Sequence, residues 1–199
     1  MRTGPRPGRR RPIWVEPGRV IRRRVLDLSL RPAGLGEAAC IGVLGTQVFL
    51  DTYAPQGIRP LLAYEVLEHF STDVIARALA QSATRFIVAE LAGHLVGFAQ
   101  LTQGTKPPHA DAADAVELER LYVLERFTAR GIGKRLLCEC ERWAASQRAP
   151  MLWLTAWVGN GRALAFYAAQ GYADAGKTFY DFQGELYENR LFAKTLRPA

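Results

Sequence analysis

Cysteine is scarce in this chain: Cys40, Cys138 and Cys140 are the only three in 199 residues. An odd count gives no disulfide framework, and the spacing suggests no metal site. Cys138 and Cys140 stand two apart on an expected helix, so they do not share a face. Free thiols fit a reducing cytoplasm. Long apolar runs are absent too, so no transmembrane helix or membrane partner is expected. The arginines near the N-terminus are not followed by an apolar stretch, which argues against a secretory signal. There are only three histidines, His69, His94 and His109. They fall in a helical region, a hairpin and a loop, and each reads as structural or solvent-facing rather than as a catalytic base.

Acidic residues are almost missing from the first 24 positions, which hold nine arginines and one acid, Glu16. The remaining 17 basic and 18 acidic residues give a net charge of −1, so the chain's +7 belongs to an arm. Basic arms bind nucleic acid or anionic membranes. This one has Trp14 as its single aromatic and no periodicity, so a nucleic-acid partner is not expected. Residues 1–24 read as a disordered Arg/Pro-rich arm, and residues 25–199 as one domain. With 49% hydrophobic and 23% charged residues, the chain has the composition of a soluble globular protein with a substantial core.

Within the domain, Val25 to Leu30 alternates as a strand. Leu35 to Thr52 carries a helical pattern with Ile41, Leu44, Val48 and Phe49 on one side. Leu61 to Ala80 is a second helical region, with a restart at Ser71-Thr72-Asp73. Thr84–Glu90 and Leu95–Leu101 flank Ala92-Gly93, a hairpin signal. Gly104–Asp114 reads as a loop and Ala115–Leu124 as a central strand. A helix is expected from Gly131 to about Gln147. Met151–Val158 is a strand with Trp153, Thr155 and Trp157 on one face. A helix over 160–170 and strands at Thr178–Phe182 and Leu186–Leu196 complete the order.

The central strand feeds a turn with Gly131 and Gly133 and the cations Arg126, Arg130, Lys134 and Arg135. A strand leading into a glycine-bearing helix N-terminus offers free N–H groups and the positive end of the dipole to a phosphate. The spacing is not that of a P-loop or of a dinucleotide fingerprint. A second stretch, NGRALAFYAAQGY from Asn160 to Tyr172, has a helix-capping asparagine, helical apolar spacing and a terminal glycine at Gly171.

The run Thr128-Ala129-Arg130-Gly131-Ile132-Gly133, followed by this second motif, resembles the GNAT superfamily of N-acetyltransferases over about residues 25–196. Thr128 departs from the usual Arg or Gln, and Tyr172 stands for Phe. The nearest pattern is that of the PaiA-type polyamine N-acetyltransferases. It rests on Leu118-Glu119-Arg120-Leu121-Tyr122-Val123, a Trp-rich strand before Asn160, Phe179-Tyr180 after Gly171, and Phe49-Leu50-Asp51-Thr52-Tyr53. The resemblance implies an α/β fold (an α+β mixed sheet) with splayed central strands and helices on both faces.

The resemblance also implies acetyl-CoA as co-substrate, with no metal, and direct transfer to an amine in a ternary complex. The backbone of Leu121, Tyr122 and Val123 is expected to meet the pantetheine arm, helped by Asn160, and Arg130, Gly131, Ile132, Gly133 and Lys134 the pyrophosphate. Tyr167 is the expected general acid, also touching the cofactor. Glu117 and Glu119 share a face of the central strand, and either is a candidate base. Asp51, Glu65, Glu68 and Asp73 suit a cationic acceptor. A small-molecule amine or polyamine is the favoured acceptor. A protein amine, an aminoglycoside, or a non-catalytic acyl-CoA-binding regulatory role are the alternatives. A homodimer is left open.

Overall fold

The computed structural model describes residues 27–108, 112–182 and 184–196. The arm at 1–24, the first two residues of the expected opening strand and His109 lie outside them. The elements run β1 (Leu28–Pro32), α1 (Ala38–Tyr53), α2 (Pro60–Phe70), α3 (Thr72–Leu79), β2 (Thr84–Leu91), β3 (His94–Thr105), β4 (Ala115–Val123), α4 (Ile132–Ser146), β5 (Met151–Trp157), α5 (Gly161–Ala169), β6 (Ala173–Phe182) and β7 (Glu185–Thr195). This is the expected order, with three boundary corrections. β1 runs through Pro32, which an edge strand tolerates because its N–H side needs no partner. β3 continues to Thr105, and β6 begins at Ala173, five residues before the expected start.

The seven strands form one mixed sheet in the order β1-β2-β3-β4-β5-β7-β6. Alternation along β2 explains its two faces. Ile87 and Ala89 join the core under α4, with Leu136, Leu137 and Cys140, while Phe86 and Val88 join Ile41, Leu44 and Ile75 under α1 and α3. Ala92 and Gly93, at φ 52° and 81°, turn the β2–β3 hairpin, the backbone that suits right-twisted strands.

α1 lies close to α2 because Gly42 and Gly45 carry no side chain. A Cβ at Gly42 would collide with the carbonyl oxygen of Phe70, and one at Gly45 with the Phe70 ring. This approach sets Phe70 over the sheet, 6.1 Å from the Tyr122 ring and 5.8 Å from Phe49.

Two irregularities in β4 shape the site. Against β3, Gln100 pairs with Arg120 and Leu101 with Leu118, so Glu119 is an extra residue, a β-bulge. Against β5, pairing is limited to Val116–Leu152 and Glu117–Trp153. Beyond that point β4 and β5 diverge.

Candidate active site

The divergence of β4 and β5 leaves a strand edge facing a gap. The N–H of Leu124 bonds to Val96 on β3, so alternation turns the main-chain groups of Leu121 and Val123 toward the gap. The backbone of Tyr122 therefore faces β3, and its ring lines a cavity on the sheet face. Of the three residues expected to meet a pantetheine arm by their backbone, two are on the open edge. The third contributes its side chain to the neighbouring cavity.

At the end of β4 the chain passes through a short turn at Glu125–Phe127 and enters α4. Ala129 and Gly131 both have positive φ, 57° and 79°. Left-handed residues flanking Arg130 make a concave row of N–H groups of the kind that holds anions. Gly131 caps α4 without a side-chain bond, and the first turn contains no acid. It contains Lys134 and Arg135 instead, which the helix dipole disfavours there and a bound polyphosphate would compensate. The Arg126 and Arg130 guanidiniums each stack 5.3 Å from the Phe127 ring centroid. The Thr128 hydroxyl bonds to the Glu125 carbonyl at 2.8 Å, so it stabilises the turn and leaves anion contact to the backbone. These features fit the pyrophosphate of CoA.

The second motif packs beside the start of α4, with Phe166 next to Gly133 and Arg162 bonded to Glu125 at 2.8 Å. Asn160 caps α5 by accepting the Ala163 N–H at 3.0 Å. Tyr167 is buried, with ring contacts to Phe166, Tyr172 and Phe192 at 5.2–5.9 Å. Burial pushes its hydroxyl pKa well up, and Cys140, Tyr122 and Tyr53 are close enough to add to the effect. Tyr122 and Tyr53 line the cavity on the sheet face, whereas Tyr167 is packed in the core on the α4 side with Leu136 and Cys140.

The cavity, about 280 Å³, lies between α1–α2 and the sheet. Its walls include Phe49, Tyr53, Phe70, Trp157, Tyr180 and Phe182, and its ionisable groups include Arg59, Glu65, His69, Glu119 and Arg120. The bulge explains how Glu119 and Arg120 both border it, since strict alternation would put adjacent side chains on opposite faces. Both Glu119 oxygens are engaged, by Thr102 and by Gln100 Nε2 at 2.6 Å. Arg120 bonds to Gln100 and covers Phe70 at 5.1 Å.

Glu117 lies outside the cavity lining, half-buried on the strand face below Glu119. Burial, and then the charge of Glu119, pushes its pKa up to about 7. Of the four acids expected to face an acceptor, Glu65 is buried in the cavity, while Asp51, Glu68 and Asp73 are exposed. His69, read as structural from sequence, also lines the cavity. Its i, i+4 spacing from Glu65 on α2 was the available signal.

A shared architecture accompanies these features. Residues 49–172 match the acetyltransferase (GNAT) family, and the chain belongs to it. An uncharacterised N-acetyltransferase encoded in the pepI 3′ region of Lactobacillus delbrueckii subsp. lactis is 24% identical over 128 residues, covering 64% of this chain and 74% of that one. The PaiA N-acetyltransferase of Thermoplasma acidophilum, solved in complex with coenzyme A, superposes with a TM-score of 0.66 at 20% identity, over 84% of this chain and 98% of that one. A ribosomal-protein-alanine N-acetyltransferase from Brucella melitensis gives a TM-score of 0.60 at 20% identity, over 84% and 99%. The protein is thus an acyltransferase of the N-acetyltransferase class, with acetyl-CoA as its co-substrate. Among the described residues, no helix is long and apolar enough to cross a membrane.

Proposed function

We propose that this enzyme moves an acetyl group from acetyl-CoA to the primary amine of a small molecule, polyamines included, by direct attack in a ternary complex. The observation that carries this reading is the junction of two spaces. A gap between strands, ending at a cationic helix N-terminus, opens beside an aromatic cavity that carries two carboxylates and takes its walls from both diverging strands. A volume near 280 Å³ falls just below the about 300–1,000 Å³ usual for ligand sites. That favours a small amine over an aminoglycoside or a protein chain.

Acetyl-CoA supplies an activated acyl carbon, so no nucleophile on the protein is needed. The buried Cys140, its pKa raised by burial, is unsuited to that role. Leu121 and Val123 hold the pantetheine arm by their open main-chain groups. The nest from Ala129 to Gly131, the N–H groups of Ile132 and Gly133, and the charges of Arg130 and Lys134 hold the pyrophosphate. Asn160 fixes the start of α5 and so the position of Tyr167.

An amine enters as an ammonium and must shed two protons along the way. Glu117, with proton affinity near neutrality, takes the first through water and releases it to solvent. That is the affinity a general base needs. Glu119 stays bonded to Thr102 and Gln100 and orients the amine. Tyr167 keeps its proton at neutral pH because burial disfavours the phenolate. It passes that proton to the departing sulfur and is refilled by the second proton from nitrogen.

The test is free-thiol release from acetyl-CoA with a panel of alkylamines, diamines, an aminoglycoside and a peptide. Release confined to small amines is expected. Release with the peptide alone would transfer the reading to a protein amine. Calorimetric binding of acetyl-CoA with no release for any amine would make the protein a non-catalytic acyl-CoA binder.

A further inference from the structure

The acceptor cavity holds a carboxylate of which only one oxygen has a partner among the described residues. Glu65 on α2 is only 8% exposed. Its Oε1 accepts the Tyr180 hydroxyl at 2.9 Å and has His69 Nε2 at 3.3 Å. Among the described residues, Oε2 receives no hydrogen bond, and Glu65 borders the cavity. Burying a carboxylate is costly unless a cation meets it. The two guanidiniums of the cavity are committed elsewhere. Arg120 bonds to Gln100 and lies 3.6 Å from Glu119, and Arg59 bonds to Tyr187 at 3.1 Å and lies 3.7 Å from Glu185.

We infer that Glu65 is a specificity-determining cation subsite, holding a second, non-reacting ammonium of an acceptor with two basic nitrogens. The inference rests on the proposed acetyl transfer to a small amine. Glu65 stands on the helix wall of the cavity and Glu119 on the strand wall. One nitrogen anchored at Glu65 leaves the other at the β4 bulge, beside Glu119. Between the two walls the rings of Phe49, Tyr53 and Phe70 offer apolar surface to a short alkyl chain and aromatic faces to an ammonium.

The experiment compares diaminobutane with butylamine, both by calorimetry with CoA present and by turnover. Wild-type protein should bind the diamine at least about tenfold tighter, as expected when a charged hydrogen bond is added. Glu65→Gln should abolish that preference by raising KM for the diamine, with little change in kcat or in CoA affinity. Tyr180→Phe removes only the bond to Oε1 and should keep the preference, which separates recognition at Oε2 from a structural role of Glu65. Equal binding of the two amines by wild type, or a preference surviving in folded Glu65→Gln, overturns the inference. A preserved binding preference without acetylation of either amine would refute acetyl transfer and leave the cation subsite standing.

Discussion

Replacing Glu117 by Gln tests the base through two independent readouts. The side chain keeps its size and loses its charge. In the wild type, the carboxyl pKa moves from 4.5 to about 7 on folding, mainly through burial. At about 1.36 kcal/mol per unit, that shift is worth about 3.4 kcal/mol. The group is only half-buried, and solvent screening brings the figure to about 1–2 kcal/mol. The folded-state value lies above the unfolded one, so the neutral carboxyl stabilises the fold fully below about pH 4.5 and this contribution is lost as pH rises through about 7. Above that range the wild type folds with a desolvated carboxylate and the variant does not. Glu117→Gln should therefore melt about 2–8 °C higher than wild type at about pH 8. The difference should close near pH 4.5, and thermal melts across pH read it directly. Over the same range kcat/KM of the wild type should rise with an apparent pKa near 7, while the variant loses that limb and about 10²–10⁴-fold in rate. A melting difference independent of pH would show that no desolvated charge forms there. An intact acid limb in the variant would transfer the base role to Glu119.

Three further outcomes follow from the site. Tyr167→Phe keeps the ring packing and should lower kcat about 10²-fold or more with CoA affinity nearly unchanged; unchanged turnover would make Tyr167 a packing residue only. Arg130→Ala combined with Lys134→Ala should weaken CoA binding about tenfold at low salt, with the loss shrinking as salt rises; an equal loss at high salt would contradict an electrostatic role. Gly42→Ala should cost about 1–3 kcal/mol in denaturant unfolding and weaken acceptor binding, because the new methyl group pushes α1 from Phe70; a neutral change would show that the close approach is not needed.

The parts of the site legible in the sequence are those made by contiguous chain. Gly131 reports a backbone conformation and Asn160 a helix start, so both motifs announce their local geometry. The cavity is different, because it takes Phe49 and Tyr53 from α1, Glu65 and Phe70 from α2, Trp157 from β5 and Tyr180 from β6. Bringing these together requires β7 to insert between β5 and β6, and no local pattern specifies that exchange. Nor does spacing distinguish Glu65 from Glu68: both sit on the same amphipathic helix, and only the packing of α2 on the β6–β7 ribbon buries one and exposes the other.

One decisive feature was written in the chain and is readable only as a broken rhythm. Val116 and Leu118 enter the core beneath α4, and Leu121 and Val123 pack against it. A regular strand returns to one face every second residue, so the step of three from Leu118 to Leu121 cannot be made without an extra residue. Glu119 is that residue, opposite no partner on β3. The bulge then does two things at once. It keeps both halves of β4 anchored under α4, and it turns Glu119, Arg120 and Tyr122 together into the cavity. The apolar spacing thus encodes the bulge through packing, while the polar residues between the apolar ones encode the chemistry. Pairing Glu119 in strict alternation would keep Leu121 and Val123 beneath α4 only by sending Glu117 into the α4 core. The cost of burying that carboxylate is what holds the bulge, and with it the site, in place.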